Sequence, residues 1–511
     1  MEKKHIVPVF ILLNKIKERN DDLYRTKVAH LNYLSSDFTK IDFRKKAEDR
    51  IENKKDKKIR SKKMKDLAVI ILAAGKSKRM KTRMPKVLHK VGGKCLIDRV
   101  LDAVEKIEPS SVHMVVGYEK EQIIKHIEDT ERKVIFSEQK ELLGTGHAVA
   151  QAIPNLKDEK YIMVINGDMP LVNSDELESF YNEHISSSVK VSLMSAVVPW
   201  ESDFGRIIRD ENKNVIGIKE FKDSTDEEKK IKEVNLALYI FEKDFFVNAL
   251  PSIGTNNAQK EYYLTDLISI ASKNGEKILS HICADPNISR GVNSREDLAE
   301  IESFVRESKV KELMKSGVTF IDPKSAFIDS EVKIGMDTVI YPFTIIEGKT
   351  VIGENCVIGP STRIINSVVG DASTVANSIL LEAKTGKEAN IGPFSYLRPN
   401  AVLADKVKVG DFVEIKNSSI GVGTKVPHLS YIGDATLGEK VNIGAGTITC
   451  NYDGVRKHKT FIDDGTKIGS NTNLVAPVKV GKNVVTGAGA TVTNDIPDNS
   501  TAVGVPARVV K

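Results

Sequence analysis

The sequence predicts two folds in series: an α/β layer built on a mostly parallel sheet, then a parallel β-helix. Three observations carry that prediction. Strand-like and helix-like stretches alternate from Met64 to about Arg295, aliphatic residues then recur every six positions, and one capped helical stretch separates the two patterns. A chain of 511 residues is too long for one ordinary core, so division into domains is expected.

Residues 1–63 stand outside both patterns. They hold 19 Lys+Arg against 10 Asp+Glu, leaving 57 against 60 for the rest, so the net charge of +6 belongs to a basic arm on a slightly acidic body. The stretch "FRKKAEDRIENKKDKKIRSKK" has almost no apolar face, which predicts a solvated helix or a disordered arm. A tether to nucleic acid or anionic lipid is one reading. The preferred one is a native start at Met64, immediately ahead of the first strand. The body carries no charge excess suited to nucleic acid. No apolar run approaches the roughly 20 residues of a membrane-spanning helix, and "IVPVFILL" is short, interrupted by Pro8 and without a small-residue cleavage pattern. The four cysteines, Cys95, Cys283, Cys356 and Cys450, form no close-spaced pair, as expected of free thiols in a reducing cytoplasm.

In the first region "LAVIILAAG", "SVHMVVG", "KVIFSEQ", "YIMVINGD" and "VSLMSAVV" read as strands, separated by helical segments such as "CLIDRVLDAVEKI". This alternation implies a sheet covered by helices, with ligands at the loops that follow the strand ends. One such loop, "LAAGKSKRMKTRMPK" from Leu72 to Lys86, holds six basic residues and a glycine. A glycine turn ahead of a helix start offers backbone N–H groups to phosphates, and Arg79 and Lys86 can neutralise a triphosphate there. The string lacks the second glycine and Lys-Ser/Thr of a P-loop. After another strand, "INGDMP" presents Asp168, whose carboxylate suits Mg²⁺, an ion that takes one or two protein ligands beside phosphate oxygens. A helix-capping aspartate is the competing reading. Together with the phosphate turn, Asp168 points to phosphoryl or nucleotidyl transfer, a chemistry of positioning and charge compensation.

"SREDLAEIESFVRESKVKELMKSG" reads as a connecting helix, with Ser294 as cap, Asp297 three residues on and Gly317 at its close. Beyond it Ile328, Ile334, Ile340, Ile346, Ile352, Ile358 and Ile364 share one register; Ile391, Leu397, Leu403, Val409 and Ile415 share a second; Ile462, Ile468, Leu474 and Val480 share a third. Glycine follows the aliphatic residue at several of these positions and at Ile443. Each hexad supplies a short strand with one inward aliphatic residue, a small residue permits the corner, and three hexads make a coil. The period leaves the hand of the coil open, right-handed crossovers being the general expectation. The insertion "TCNYDGVRKHKT", Thr449 to Thr460, interrupts the coil and projects from it, a placement that suits binding. Acyl transfer to an amine benefits from a base titrating near neutrality, which points to histidine. "KVPHLSY" supplies His428, which coil register brings near Arg398, Lys416, Tyr431 and Asn442.

These strings, with "PKVLHKVGGK", "EQKELLGTGHA", "NGDMPL", "FGRI", "NNAQKEYYLTD", "GVN", "LRP", "HLSYIGDA" and "NIGAGTITCNYDG", closely resemble the bacterial family of bifunctional N-acetylglucosamine-1-phosphate uridyltransferase / glucosamine-1-phosphate N-acetyltransferases over about residues 66–510. The resemblance implies a Rossmann-like α/β nucleotidyltransferase domain over residues 64–294, a helical linker over 295–317 and a left-handed parallel β-helix N-acetyltransferase domain over 318–511. It implies that Leu72, Ala73, Ala74, Gly75 and Lys86 hold UTP, with Gln139, Gly144 and Thr145 around the uracil. Asp168 and Asn293 would bind Mg²⁺, and Gly205, Glu220 and Asn235 would contact the amino sugar. The sugar phosphate would attack the α-phosphorus of UTP and release pyrophosphate, with Mg²⁺, Arg79 and Lys86 stabilising the developing charge. In the second domain it implies His428 as general base, Arg398 and Lys416 on the sugar phosphate, and Tyr431 and Asn442 on the sugar. Ala445, Asn451, Tyr452, Ser470 and Ala488 would contact acetyl-coenzyme A. The implied assembly is a homotrimer in the cytoplasm with acetyl sites between subunits, and the implied product is UDP-N-acetylglucosamine. Ser77-Lys78 stands where the family commonly has Gly-Thr, and Gly504 stands near a family arginine position. Two alternatives are a single-function nucleotidyltransferase whose β-helix only assembles it, which "HLSYIGDA" and "NYDG" argue against, and a regulatory subunit without catalysis, which Lys86, Asp168 and Asn293 argue against.

Overall fold

Strand β1 (Met64–Ala73) opens the first sheet because Leu67 to Ile71 are consecutive apolar residues, and all five are 0% exposed. Burial on both faces is the pattern of a central parallel strand. The computed structural model describes residues 64–76, 78–199 and 202–511; the readings placed on residues 1–63 and on Ser77 lie outside the described residues. The other strands are β2 (Pro109–Val116), β3 (Ile135–Glu138), β4 (Tyr161–Asn166), β5 (Val191–Val197), β6 (Arg206–Arg209), β7 (Val215–Lys219), β8 (Glu233–Glu242) and β9 (Ile278–Ile282). They run in the order β9-β5-β8-β4-β1-β2-β3, with β6 and β7 as a hairpin against β8. β1 is parallel to β2 and β4, β2 to β3, and β5 to β9, whereas β8 is antiparallel to both β4 and β5.

Helix α1 (Leu96–Lys106) buries Ile97, Val100, Leu101 and Val104, a stripe at helical spacing that packs on the sheet, while Leu96 packs in a separate cluster with Val91, Ile301 and Val305. Helix α2 (Lys120–Asp129) buries Ile123 and Ile127 in the same core, and α3 (Thr145–Ala150) and α4 (Ser174–Ser187) follow β3 and β4. The connecting helix runs Arg295–Lys315 and begins with a capping box: Ser294 Oγ accepts from Asp297 N at 3.1 Å, and Asp297 Oδ2 accepts from Ser294 N at 2.8 Å. Gly317, at φ +99°, turns the chain out of the helix.

The coil consists of three sheets of 12, 10 and 9 strands, parallel and built from every third strand except at the C-terminal end of the first, where Arg508–Val509 runs antiparallel to Thr501–Val503. Every aliphatic residue of the three hexad registers is buried, so each strand contributes one inward side chain to a narrow core. The first two registers are out of phase because some coil sides are five residues long: Ile346 pairs with Ile364, but Ile364 pairs with Leu380. Close coil approach excludes a Cβ at several corners; one at Gly410 would overlap the Pro427 carbonyl. The coil meets the first domain where Arg99 Nη2 donates to Ser330 Oγ at 2.5 Å and Ser330 N donates to the Gly92 carbonyl at 3.0 Å. Among the described residues no helix is long and apolar enough to cross a membrane.

Candidate active sites

The first site forms where β1 and β4 end. Gly167 N donates to the Leu72 carbonyl at 2.9 Å, which sets Asp168 beside the turn that follows β1. Lys86 lies at the start of a short 3-10 turn behind Pro85. Its Nζ pairs with Asp168 Oδ2 and donates to Asn293 Oδ1 at 3.1 Å, so residues from three distant segments converge on one ammonium. Lys86 and Asp168 side chains are only 16% and 19% exposed. Asn293 is held from behind, its N–H donating at 2.8 Å to the Asp297 carboxylate that caps the connecting helix. A cavity of about 390 Å³ lies alongside, lined by Lys76, Lys81, Arg83, Lys86 and Tyr118 among others. Four cationic side chains on one open cavity suit a polyphosphate. Arg79 stands apart from this group: it is exposed, with Nη1 3.5 Å from Asp203 Oδ2.

Ala74 and Gly75 continue from β1, and the Ala74 carbonyl accepts from Tyr118 N at 3.1 Å. Gln139 is buried and donates to the Gly144 carbonyl at 3.1 Å. Gly144, at φ +111°, presses against the Tyr262 backbone, leaving no room for a Cβ, and Thr145 Oγ1 accepts from Leu264 N at 3.0 Å. The segment Tyr262–Leu264 thereby closes over the start of α3. The other predicted trio also converges. Gly205 O accepts from Asn235 N at 2.9 Å, and a Cβ on Gly205 would lie 3.6 Å from Glu220 Oε2. Burial pushes the Glu220 carboxyl above the ordinary glutamate range, and Thr265 Oγ1 donates to it at 3.2 Å. Asn235 is buried, with Nδ2 donating to Tyr239 Oη at 2.7 Å.

The second site lies on the coil. Asp411 and His428 occupy one rung of adjacent coils, and His428 Nδ1 is 2.6 Å from Asp411 Oδ1. A carboxylate only accepts, so Nδ1 carries the proton and Nε2 is left as the basic nitrogen. The hydrogen bond from His428 holds the Asp411 carboxyl below its usual range. His428 is 55% exposed, open to a substrate. On the next sheet Glu414 pairs with Tyr431 and Lys416 with Gly433, and Arg398 Nη1 donates to Glu414 Oε1 at 2.6 Å. Lys416 is pushed below the ordinary lysine value first by the adjacent Lys457 ammonium and also by Arg398. Three cations crowded at the solvent edge mark a place for a dianion.

Lys457 comes from the projecting insertion. That loop is shaped by Asp453, whose Oδ1 accepts from Val455 N and Arg456 N at 2.8 Å and whose Oδ2 lies 2.6 Å from His458 Nε2. The resulting turn pairs Tyr452 with Lys457. Asn451 is buried and donates to Asp434 Oδ2 at 2.5 Å, tying the loop's base to the coil, while Tyr452 is 61% exposed. Asn442 pairs with Lys425 on the sheet that carries His428. Ala445, Ser470 and Ala488 rise along successive coils: the Ala445 carbonyl accepts from Asn471 N at 2.7 Å, the Ser470 carbonyl from Gly489 N at 2.8 Å. Sequence reasoning missed Asp411 and Lys457. The signal for Asp411 was its place one coil before His428, and for Lys457 the charge of an insertion already marked for binding.

Residues 69–203 match the MobA-like NTP transferase domain family, covering β1 to β5 with Lys86 and Asp168, and residues 331–366 and 459–494 match the bacterial transferase hexapeptide (six repeats) family. The chain is 46% identical to the "Bifunctional protein GlmU" of Carboxydothermus hydrogenoformans over 442 residues, covering 86% of this chain and 98% of that protein. It is also 46% identical to the proteins of that name from Heliobacterium modesticaldum, over 85% of this chain and 94% of the relative, and Syntrophomonas wolfei, over 86% and 97%. The chain belongs to the bifunctional GlmU family. Membership of the GlmU family carries both catalytic classes, nucleotidyl transfer and acyl transfer. The hexapeptide match makes the coil a left-handed β-helix, against the right-handed expectation for parallel crossovers in general.

Proposed function

We propose that this enzyme acetylates glucosamine-1-phosphate with acetyl-coenzyme A on the β-helix, then joins the product to UMP from UTP in the α/β domain, releasing pyrophosphate. The observation that carries this reading is the pairing of His428 with Asp411 beside Arg398, Lys416 and Lys457, on a chain whose other domain separately gathers Lys86, Asp168 and Asn293.

On the β-helix the three cations hold the sugar phosphate. His428 Nε2 takes a proton from the amine as nitrogen attacks the thioester carbonyl; the C–S bond then breaks and coenzyme A leaves. Tyr431 and Asn442 orient the sugar, and the column Ala445, Ser470 and Ala488, with Asn451 and Tyr452 of the insertion, receives the coenzyme. In the α/β domain a phosphate oxygen of N-acetylglucosamine-1-phosphate attacks the α-phosphorus of UTP and the bond to the β-phosphate bridging oxygen breaks. Lys86 and the turn from Leu72 to Gly75 hold the triphosphate, Gln139, Gly144 and Thr145 surround the base, and Gly205, Glu220 and Asn235 the sugar. Arg79 serves this site only by swinging away from Asp203. The carboxylate and amide oxygens of Asp168 and Asn293, already sharing one cation in Lys86, are hard donors that fit Mg²⁺. When bound, Mg²⁺ supplies charge neutralisation on phosphate oxygens.

A homotrimer fits the surface beside His428. Phe394 and Phe412 stack at 5.5 Å between ring centroids although each is more than half exposed, and Leu429 continues their column at 60% exposure. An exposed apolar stripe next to a catalytic histidine is a place for a second copy to complete the site. The cytoplasm, where the nucleotide and coenzyme substrates occur, is the compartment proposed. The test is incubation of purified protein with glucosamine-1-phosphate, acetyl-coenzyme A, UTP and Mg²⁺, following free thiol, pyrophosphate and UDP-N-acetylglucosamine. Pyrophosphate released from UTP in the presence of N-acetylglucosamine-1-phosphate, with no thiol released from acetyl-coenzyme A in the presence of glucosamine-1-phosphate, would leave the β-helix a scaffold.

A further inference from the structure

We propose that Cys95, Asp98 and His126 form a site for a divalent transition metal of the zinc class, distinct from the Asp168–Asn293 pair. Cys95 closes a hairpin of Lys90–Val91 with Lys94–Cys95 and caps α1, Asp98 lies in the first turn of α1, and His126 faces them from α2. One potential ligand atom from each lies within 4.8 Å of the other two, and among the described residues this is the one group of three or more His, Cys, Asp or Glu side chains so arranged.

The hydrogen bonding of the cluster leaves one carboxylate oxygen unpaired. Asp98 Oδ2 lies 3.0 Å from His126 Nε2, but Asp98 Oδ1 is buried and has no partner. A buried carboxylate oxygen without a partner is costly. Cys95 Sγ donates to the Leu88 carbonyl at 3.3 Å and also interacts with the Asp98 carboxylate. The donor types choose the ion: sulfur and imidazole favour Zn²⁺ and its neighbours over Mg²⁺, which keeps to oxygen. A thiolate and a carboxylate together balance a charge of +2, and three protein ligands leave a fourth tetrahedral position open. His126, 28% exposed, provides the entry side.

Burial, helped by the Asp98 carboxylate, pushes the Cys95 thiol up to about 11. A metal ion is held by the thiolate, so binding displaces the Cys95 proton. An occupied site would tie α1 to α2.

The test is titration of metal-free full-length protein with Co²⁺ in excess Mg²⁺, followed by displacement with Zn²⁺. The expected result is a thiolate-to-cobalt charge-transfer band that saturates at one equivalent and disappears in Cys95→Ser, with Zn²⁺ affinity lowered about tenfold or more in Cys95→Ser and in His126→Gln. His126→Gln lies nearer the surface and keeps the test valid should Cys95→Ser fold poorly. Absence of the band, its survival in Cys95→Ser, or unchanged Zn²⁺ affinity in His126→Gln would overturn the proposal.

Discussion

Asp411 Oδ1 lies 2.6 Å from His428 Nδ1, across one rung of the β-helix. The contact fixes which imidazole nitrogen is basic and gives the developing imidazolium a counter-charge. His428→Ala should lower acetyl transfer by about 10²- to 10⁴-fold, the usual contribution of a positioned base. Asp411→Ala should lower kcat by about 10- to 100-fold, while Asp411→Asn, which keeps an acceptor but not the charge, should retain more activity and shift the pH profile. Uridyl transfer is the internal control in each variant and should be unchanged.

At the other site the prediction concerns both ends of one chain of contacts. Asp168→Ala should lower uridyl transfer by about 10²- to 10³-fold, the size expected when charge stabilisation at a phosphoryl group is removed, with acetyl transfer intact. Asp297→Ala acts through Asn293 and the helix cap. It should cost about 1 kcal/mol in stability and raise the Mg²⁺ concentration needed for half-maximal uridyl transfer. Unaltered Mg²⁺ dependence would separate the cap from the site.

The coil was legible because each side buries one aliphatic residue, so a single period writes the whole core. Its proposed catalytic pair, His428 with Asp411, was not. Val409 and Val426 pair 17 residues apart because the side from Ile415 to Ile420 is one residue short, and strict hexad counting places no partner opposite His428. Lys457 was hidden differently: its direction depends on the turn at Asp453, a side-chain to backbone interaction that periodicity does not record. In the α/β domain the strands were plain from their apolar runs. The convergence of Lys86, Asp168 and Asn293 depends on sheet order, and only the family resemblance placed Asn293 among them. The direction of β8, antiparallel within the mostly parallel sheet, was not legible, since its apolar run reads alike in either direction.

The Phe394–Phe412–Leu429 column makes assembly testable. Phe412→Asp places a charge in the middle of the apolar stripe without touching the buried core. It should convert the proposed trimer to monomer in light scattering and depress acetyl transfer while sparing uridyl transfer. A variant that remains trimeric would move the interface elsewhere on the coil.

Acid stability should turn on His184, which lies far from either site. Burial pushes its imidazole down to about 4, with Nδ1 2.6 Å from Ser192 Oγ and Nε2 buried without a partner. The unfolded chain takes up this proton near pH 6.5 and the folded chain does so only near pH 4. The neutral histidine therefore contributes its full stability above about pH 6.5, and this is lost as pH falls toward 4, at up to about 1.4 kcal/mol per pH unit. His184→Gln should flatten that part of the stability curve, measured by urea unfolding of the α/β domain signal at pH 7, 6, 5 and 4. A slope identical to the parent's would mean that other groups govern acid unfolding.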